Sequence, residues 1–94
     1  MGFTKDEVTA AAKQDLAKRL GVDEADVAVL SVADKDFPDM SLDAPVDGEM
    51  SAQMISTGWE IELGAGDDTY VYRADKYQLR LVDLDGQNYL IRSV

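Results

Sequence analysis

Apolar residues return every four positions at Val8, Ala12, Leu16 and Leu20, which draws a single stripe down an α-helix. Ala11 widens that stripe, while Lys13, Asp15, Lys18 and Arg19 fall toward water. Thr4 with Glu7 three residues on has the form of a capping box, and Phe3 and Val8 stand where a hydrophobic staple would place them. Gly21 supplies the left-handed residue that commonly ends a helix, and Val22 can fold back on the last turn. The pattern predicts a helix over 5–20.

Beyond a short turn at Asp23-Glu24-Ala25-Asp26, the run Val27-Ala28-Val29-Leu30-Ser31-Val32 is β-branched and apolar. It reads as a strand buried on much of both faces, or one covered by the helix. Residues 36–50 hold both prolines and show no clean period; irregular connections of that length are uncommon in compact domains and often functional. Phe37, Met40, Leu42, Val46 and Met50 give this segment enough apolar surface to pack down. Alternation resumes at Trp59-Glu60-Ile61-Glu62-Leu63, with Ala52 to Ile55 joining the same long strand and Ser56-Thr57-Gly58 as a bulge. A hairpin loop at 64–68, a return strand at 69–73, a turn at 75–77, a strand at 78–84, an Asp85-Gly86 turn and a last strand at 89–92 follow. The expected fold is α+β. One N-terminal helix packs on a four- to five-stranded antiparallel sheet, in the order α-β-loop-β-β-β.

With 94 residues the chain reads as one domain, 1–94. It carries 19 acids against 9 bases, a net charge of −10. That charge repels polyphosphates and anionic lipid, so neither nucleic acid nor a membrane surface is expected as a partner. No apolar run reaches the roughly 18 residues of a membrane span. The N-terminus lacks a signal-peptide pattern, which leaves a cytoplasmic protein or one exported with its leader removed. Three causes of the acidity stand side by side: adaptation to high salt, cation binding, and docking of something basic.

Histidine and cysteine are absent, and with them the commonest general base, nucleophiles and transition-metal ligands. Ser31, Ser41, Ser51 and Ser56 have no evident base partner, so no catalytic residue and no enzyme is expected. Calcium is the cofactor that the acids suggest, through Asp36, Asp39, Asp43 and Asp47 of the long loop; the ordinary alternative is a solvated acidic loop. Asp83-x-Asp85-Gly86 begins like an EF-hand but lacks its later ligands and closing Glu. Trp59 reads as core. Tyr70 and Tyr72 form an exposed aromatic stripe if Val71 points inward, which is the reading adopted. Glu60 and Glu62 are placed for cross-strand pairing with Arg73.

Leu20-Gly21-Val22, the stretch Phe37-Pro38-Asp39-Met40-Ser41-Leu42-Asp43-Ala44-Pro45, Gly58-Trp59-Glu60-Ile61-Glu62-Leu63 and Tyr70-Val71-Tyr72-Arg73-Ala74-Asp75 together resemble a bacterial family. Its members are small, poorly characterised domains, often in secreted proteins or lipoproteins. That family tends to have Gly-Cys where this chain has Asp43-Ala44, and His where it has Arg73. The layout is also similar to cystatin-type and PepSY-type modules, which implies protein binding, with peptidase inhibition as one form; no inhibitor motif accompanies it.

The favoured function is a non-catalytic protein-interaction module, monomeric, contacting a protein partner through Phe37, Met40, Leu42, Tyr70 and Tyr72. The alternatives are a small cation-binding domain and an engineered or salt-adapted scaffold without activity of its own. Self-repulsion at this charge destabilises the compact state in dilute buffer, and salt at 1 M shortens the Debye length to roughly 3 Å. The melting temperature is therefore expected to rise with NaCl through the first molar in a calorimetric series, and a flat response contradicts salt adaptation.

Overall fold

The computed structural model describes residues 2–93. The chain runs through α1 (Lys5–Leu20), one 3-10 turn (Glu24–Asp26), β1 (Ala28–Phe37), β2 (Ser56–Ala65), β3 (Asp68–Ala74), β4 (Gln78–Leu84) and β5 (Gln87–Ser93). The five strands form an antiparallel meander in the order β1-β2-β3-β4-β5. One helix and one antiparallel sheet make this an α+β fold, as the periodicities imply.

The helix begins and ends where its capping residues dictate. Glu7 N–H donates to Thr4 Oγ1 (3.2 Å) and Thr4 N–H to Glu7 Oε1 (2.9 Å), closing the capping box. Gly21 takes φ 69°, ψ 35° at the other end, and its N–H donates to the Ala17 carbonyl. Phe3 N–H donates to the Lys76 carbonyl (2.7 Å), so the chain ahead of the helix is tied to the β3–β4 turn. Val8, Ala11, Ala12, Leu16 and Ala17 are buried with Ile61, Leu63, Tyr72, Ala74, Leu79 and Leu81 of the sheet. Alanines on this stripe let the helix backbone sit close to the strands, which supply the bulk. Leu20, the last residue of the stripe, is exposed beyond the sheet's cover.

Tyr72 corrects the orientation expected for β3. Its ring lies in the helix-side core and Val71 takes the opposite face, so Tyr72 is no part of an exposed stripe. The Tyr72 hydroxyl donates to Asp15 Oδ2 (2.7 Å), and the same oxygen accepts from Arg19 Nε (2.7 Å). Burial and the Asp15 carboxylate push the Tyr72 phenol far above its ordinary pKa, so it stays a donor. Arg19 then lies over the Tyr89 ring at 4.7 Å, linking helix, β3 and β5 in one chain of contacts.

Two strand expectations need correction. The Val27 to Val32 run is not doubly buried: β1 is an edge strand, and Val29 and Leu30 are exposed. The helix packs across β2 and β4 and leaves the edge uncovered. Nor does β2 begin at Ala52 or bulge at Ser56 to Gly58. It starts at Ser56 and pairs Gly58 with Lys35 in regular register; the irregularity lies opposite, between Val29 and Ser31. Gly58 is needed for another reason, because a Cβ there would overlap the Ala74 carbonyl oxygen.

The turns follow their residue chemistry. Asp85 (φ 53°) and Gly86 (φ 83°) make the two-residue hairpin, and Asp75 Oδ1 accepts from the N–H groups of Tyr77 (2.7 Å) and Gln78 (3.0 Å). The helix covers one face of the sheet. Residues 38–55 return across part of the other. Gly58→Ala is expected to cost about 2 kcal/mol or more in urea unfolding, since only backbone movement removes the overlap; a loss under about 0.5 kcal/mol refutes that close approach.

Candidate functional site

The segment 38–55 has no helix or strand, yet Ser41, Leu42 and Ala44 within it are fully buried. Its carbonyls explain this. Arg73 Nη1 donates to Leu42 O (3.1 Å) and Asp43 O (3.1 Å), and Arg80 Nη1 donates to Ala44 O (3.0 Å). Gln78 Nε2 reaches Met40 O (2.6 Å) and Asn88 Nδ2 reaches Pro45 O (2.9 Å). Side chains on the far face of β3, β4 and β5 thus replace the ladder that the loop lacks. Asp39 Oδ1 organises the turn from inside by accepting from Ser41 N (2.9 Å), Ser41 Oγ (2.6 Å) and Asp43 N (3.0 Å). Leu42 (φ 59°) and Asp43 (φ 54°) are left-handed here, a conformation that glycine, usual at the second position in the resembled motif, adopts without strain.

Charge pairing fixes the loop's later half. Arg80, 3% exposed, meets Glu49 with both guanidinium Nη atoms, at 2.5 Å and 2.6 Å, and gives its Nε to Gln78 Oε1 (2.7 Å). The hydrogen bond from Arg80 holds the Glu49 carboxyl below the ordinary range against a smaller opposing effect of burial. At Glu60 burial pushes upward, but Lys35 (3.1 Å) and Arg73 (3.0 Å) together outweigh it and the net direction is down. Asp39 is lowered first by its Ser41 hydroxyl bond. The expected Glu60–Arg73 cross-strand pair is present.

Where the loop rejoins the sheet, it leaves apolar side chains in water. Met54 is 63% exposed and Ile55 75%, and Tyr77 on the β3–β4 turn is 58% exposed. These three, with Met40 and the half-buried Trp59, line a groove of about 610 Å³. Asp34 of β1 and Lys76 stand at its margin. Neither end of the groove is left to chance. Asp75 fixes the Tyr77 turn, and Met40 is held through its backbone N–H to Ala52 O (3.0 Å) and its carbonyl to Gln78.

The residues named from sequence separate into two sets. Phe37, Leu42 and Tyr72 are buried and available to no partner; Phe37 lies beneath Lys35 and Arg73, whose charged groups are 5.8 Å and 5.6 Å from its ring. Tyr70 is half-buried against the core, and Met40 alone of the five reaches the groove. Met54, Ile55 and Tyr77 of the groove are missed by the sequence pattern. Their signal was weak, because Met54-Ile55 reads locally as strand and Tyr77 as one residue of a turn. The four acids named for a cation do not converge, and Asp36 belongs to β1 rather than to the loop. Asp36 accepts from Thr57 Oγ1 (2.9 Å), Asp39 caps its own turn, and Asp43 and Asp47 point to water. Among the described residues no group of three or more acidic side chains is placed to hold a metal ion. Ser41 is fully buried, so its bond to Asp39 is structural.

A family model described as a domain of unknown function, DUF8738, matches residues 9–90. No curated protein and no solved structure matches the chain.

Glu49→Gln is expected to lower stability at pH 7 by about 2 kcal/mol, since it leaves a nearly buried guanidinium short of charge. The native carboxyl is lowered, so its contribution is complete above about pH 5 and disappears as pH falls through the native value. Wild type and variant should converge in urea titrations only as pH falls below the lowered native value of Glu49. A gap that does not change with pH contradicts the ionic clamp.

Proposed function

We propose that this chain, which belongs to the DUF8738 family of domains of unknown function, is a non-catalytic protein-interaction module. The observation that carries the reading is the groove between the end of the long loop and the β3–β4 turn. Three large apolar side chains, Met54, Ile55 and Tyr77, stand more than half exposed around one concavity with Trp59 in its wall. Contiguous apolar surface around an aromatic residue is the usual composition of a protein contact. The chemistry of the remaining residues supports the same reading. The chain has no histidine or cysteine, and the buried Ser41 has no route to a substrate.

The groove is also prepared in advance. The arginine clamps hold the loop that carries Met40, and a turn cap holds Tyr77. Binding there requires little ordering of the protein, so more of the contact energy remains as affinity.

Selection from a random-peptide display library, using wild type as bait, tests the reading against an Ile55→Asp/Tyr77→Asp double variant. Both positions are exposed, so the variant should unfold within about 0.5 kcal/mol of wild type per substitution. Enriched peptides are expected to bind wild type and lose at least tenfold in affinity for the variant, which is about 1.4 kcal/mol. No enrichment, or enrichment indifferent to the two substitutions, removes the reading.

A further inference from the structure

Beside the groove runs β1, ten residues long and at the edge of the sheet. Among the described residues, no backbone hydrogen bond other than its pairing with β2 involves β1. Its outer N–H and C=O groups are free to pair with an added strand. On the helix-side face β1 presents Asp34 next to Trp59, and Asp36 next to Thr57, which is itself part of the groove lining. The Asp34 carboxylate makes no hydrogen bond or ion pair among the described residues, while Asp36 accepts one hydrogen bond from Thr57. Lys35 turns to the opposite face, where Glu60 holds it at 3.1 Å. Among the described residues Lys76 is the one base in the groove lining.

Resting on the interaction-module reading, we infer that the occupant is an extended, basic segment of another protein that adds to the β1 edge. Two alternate Lys or Arg side chains face Asp34 and Asp36, and an apolar side chain at the next position of that same face enters the groove between Ile55, Trp59 and Tyr77. Period-two geometry makes this combination self-consistent, because one face of an added strand repeats every second residue. Charge complementarity selects the class of partner. The chain's own net charge of −10 draws a basic segment in and raises its rate of encounter.

A second copy of the chain fits poorly at the same edge. Antiparallel two-fold pairing of β1 centred on Lys35 places Asp34 opposite the second copy's Asp36, and Lys35 opposite its own equivalent. Like charges directly opposite destabilise a strand pair, and two chains of −10 add long-range repulsion. The same three charges that keep β1 from pairing with itself therefore leave it selective for a cationic strand.

The probe is a pair of acetylated eight-residue peptides, one with Thr at every second position and two Lys followed by two Leu at the positions between, the other with Glu in place of each Lys. Each is titrated into the isotope-labelled 94-residue chain and followed by amide NMR shifts. The lysine peptide is expected to shift the signals of Val32 to Asp36 and of Ile55 to Trp59, and to bind more weakly as NaCl rises. Asp34→Asn/Asp36→Asn should weaken it about fivefold and the glutamate peptide should leave those signals unmoved. Equal binding of the two peptides, or shifts confined to β5 or the helix, overturns the basic-strand inference. If library peptides still depend on Ile55 and Tyr77, that failure leaves the interaction reading standing. Loss of the library dependence removes both.

Discussion

A guanidinium with almost no contact with water is costly unless nearly all of its donors are satisfied, and Arg80 meets that condition in an unusual way. Its partners are a strand neighbour, a loop carbonyl and both oxygens of one carboxylate. Two of these three partners, Ala44 and Glu49, belong to a segment with no helix or strand of its own. The side chain that needs neutralising and the loop that needs holding thus solve each other's problem. A buried pair of this kind is not necessarily more stabilising than apolar residues of equal volume. What it provides is position, since a hydrophobic patch would let a loop without periodicity settle in several ways, and a fork of directed donors allows one.

The same economy governs the charge. Of the four arginines, Arg19, Arg73 and Arg80 each point at an acid of the same chain, and Lys35 joins Arg73 at Glu60. Four of the nine bases thus tie helix, strands and loop together, while among the described residues the carboxylates of Asp34, Asp43 and Asp47 make no ion pair. The surface that other molecules meet is accordingly more acidic than the fold's internal wiring requires. Acidity here is a property of the outside, and it lies next to the groove around which Met54, Ile55 and Tyr77 stand exposed.

Local chemistry was legible and long-range satisfaction was not. Thr4, Glu7 and Gly21 marked the helix ends, and Asp85-Gly86 the last hairpin, because each acts through backbone atoms within a few residues. The expectation for Tyr72 failed because both faces of β3 are covered, one by the helix and part of the other by the loop. Alternation shows which residues share a face, but two covered faces give it no sign. Leu42 and Phe37 were mistaken for free surface on the same ground. Their burial depends on Arg73, which is more than thirty residues away from both, and no window along the chain contains that pairing. One trace did exist. Arg80 interrupts Leu79-Arg80-Leu81-Val82, and a lone cation inside an apolar strand signals a partner arriving from elsewhere.

Holding the loop down has a consequence for what remains above it. Left-handed backbone at Leu42 and Asp43 costs of order 1 kcal/mol each, and the Asp39 cap with its three donors offsets that strain on the spot. The chain can then turn sharply enough to bury Leu42 and Ala44 while sending residues 50–55 back toward the start of β2. Met54 and Ile55 are carried to the rim by that geometry and stay more than half exposed. Were the loop mobile, these side chains would collapse onto the nearest greasy patch and the groove would close. Because the carbonyls are fixed from below, the apolar residues stay apart from one another and open to a partner. The clamp therefore acts on binding as well as on stability, through the shape that it prevents the loop from losing.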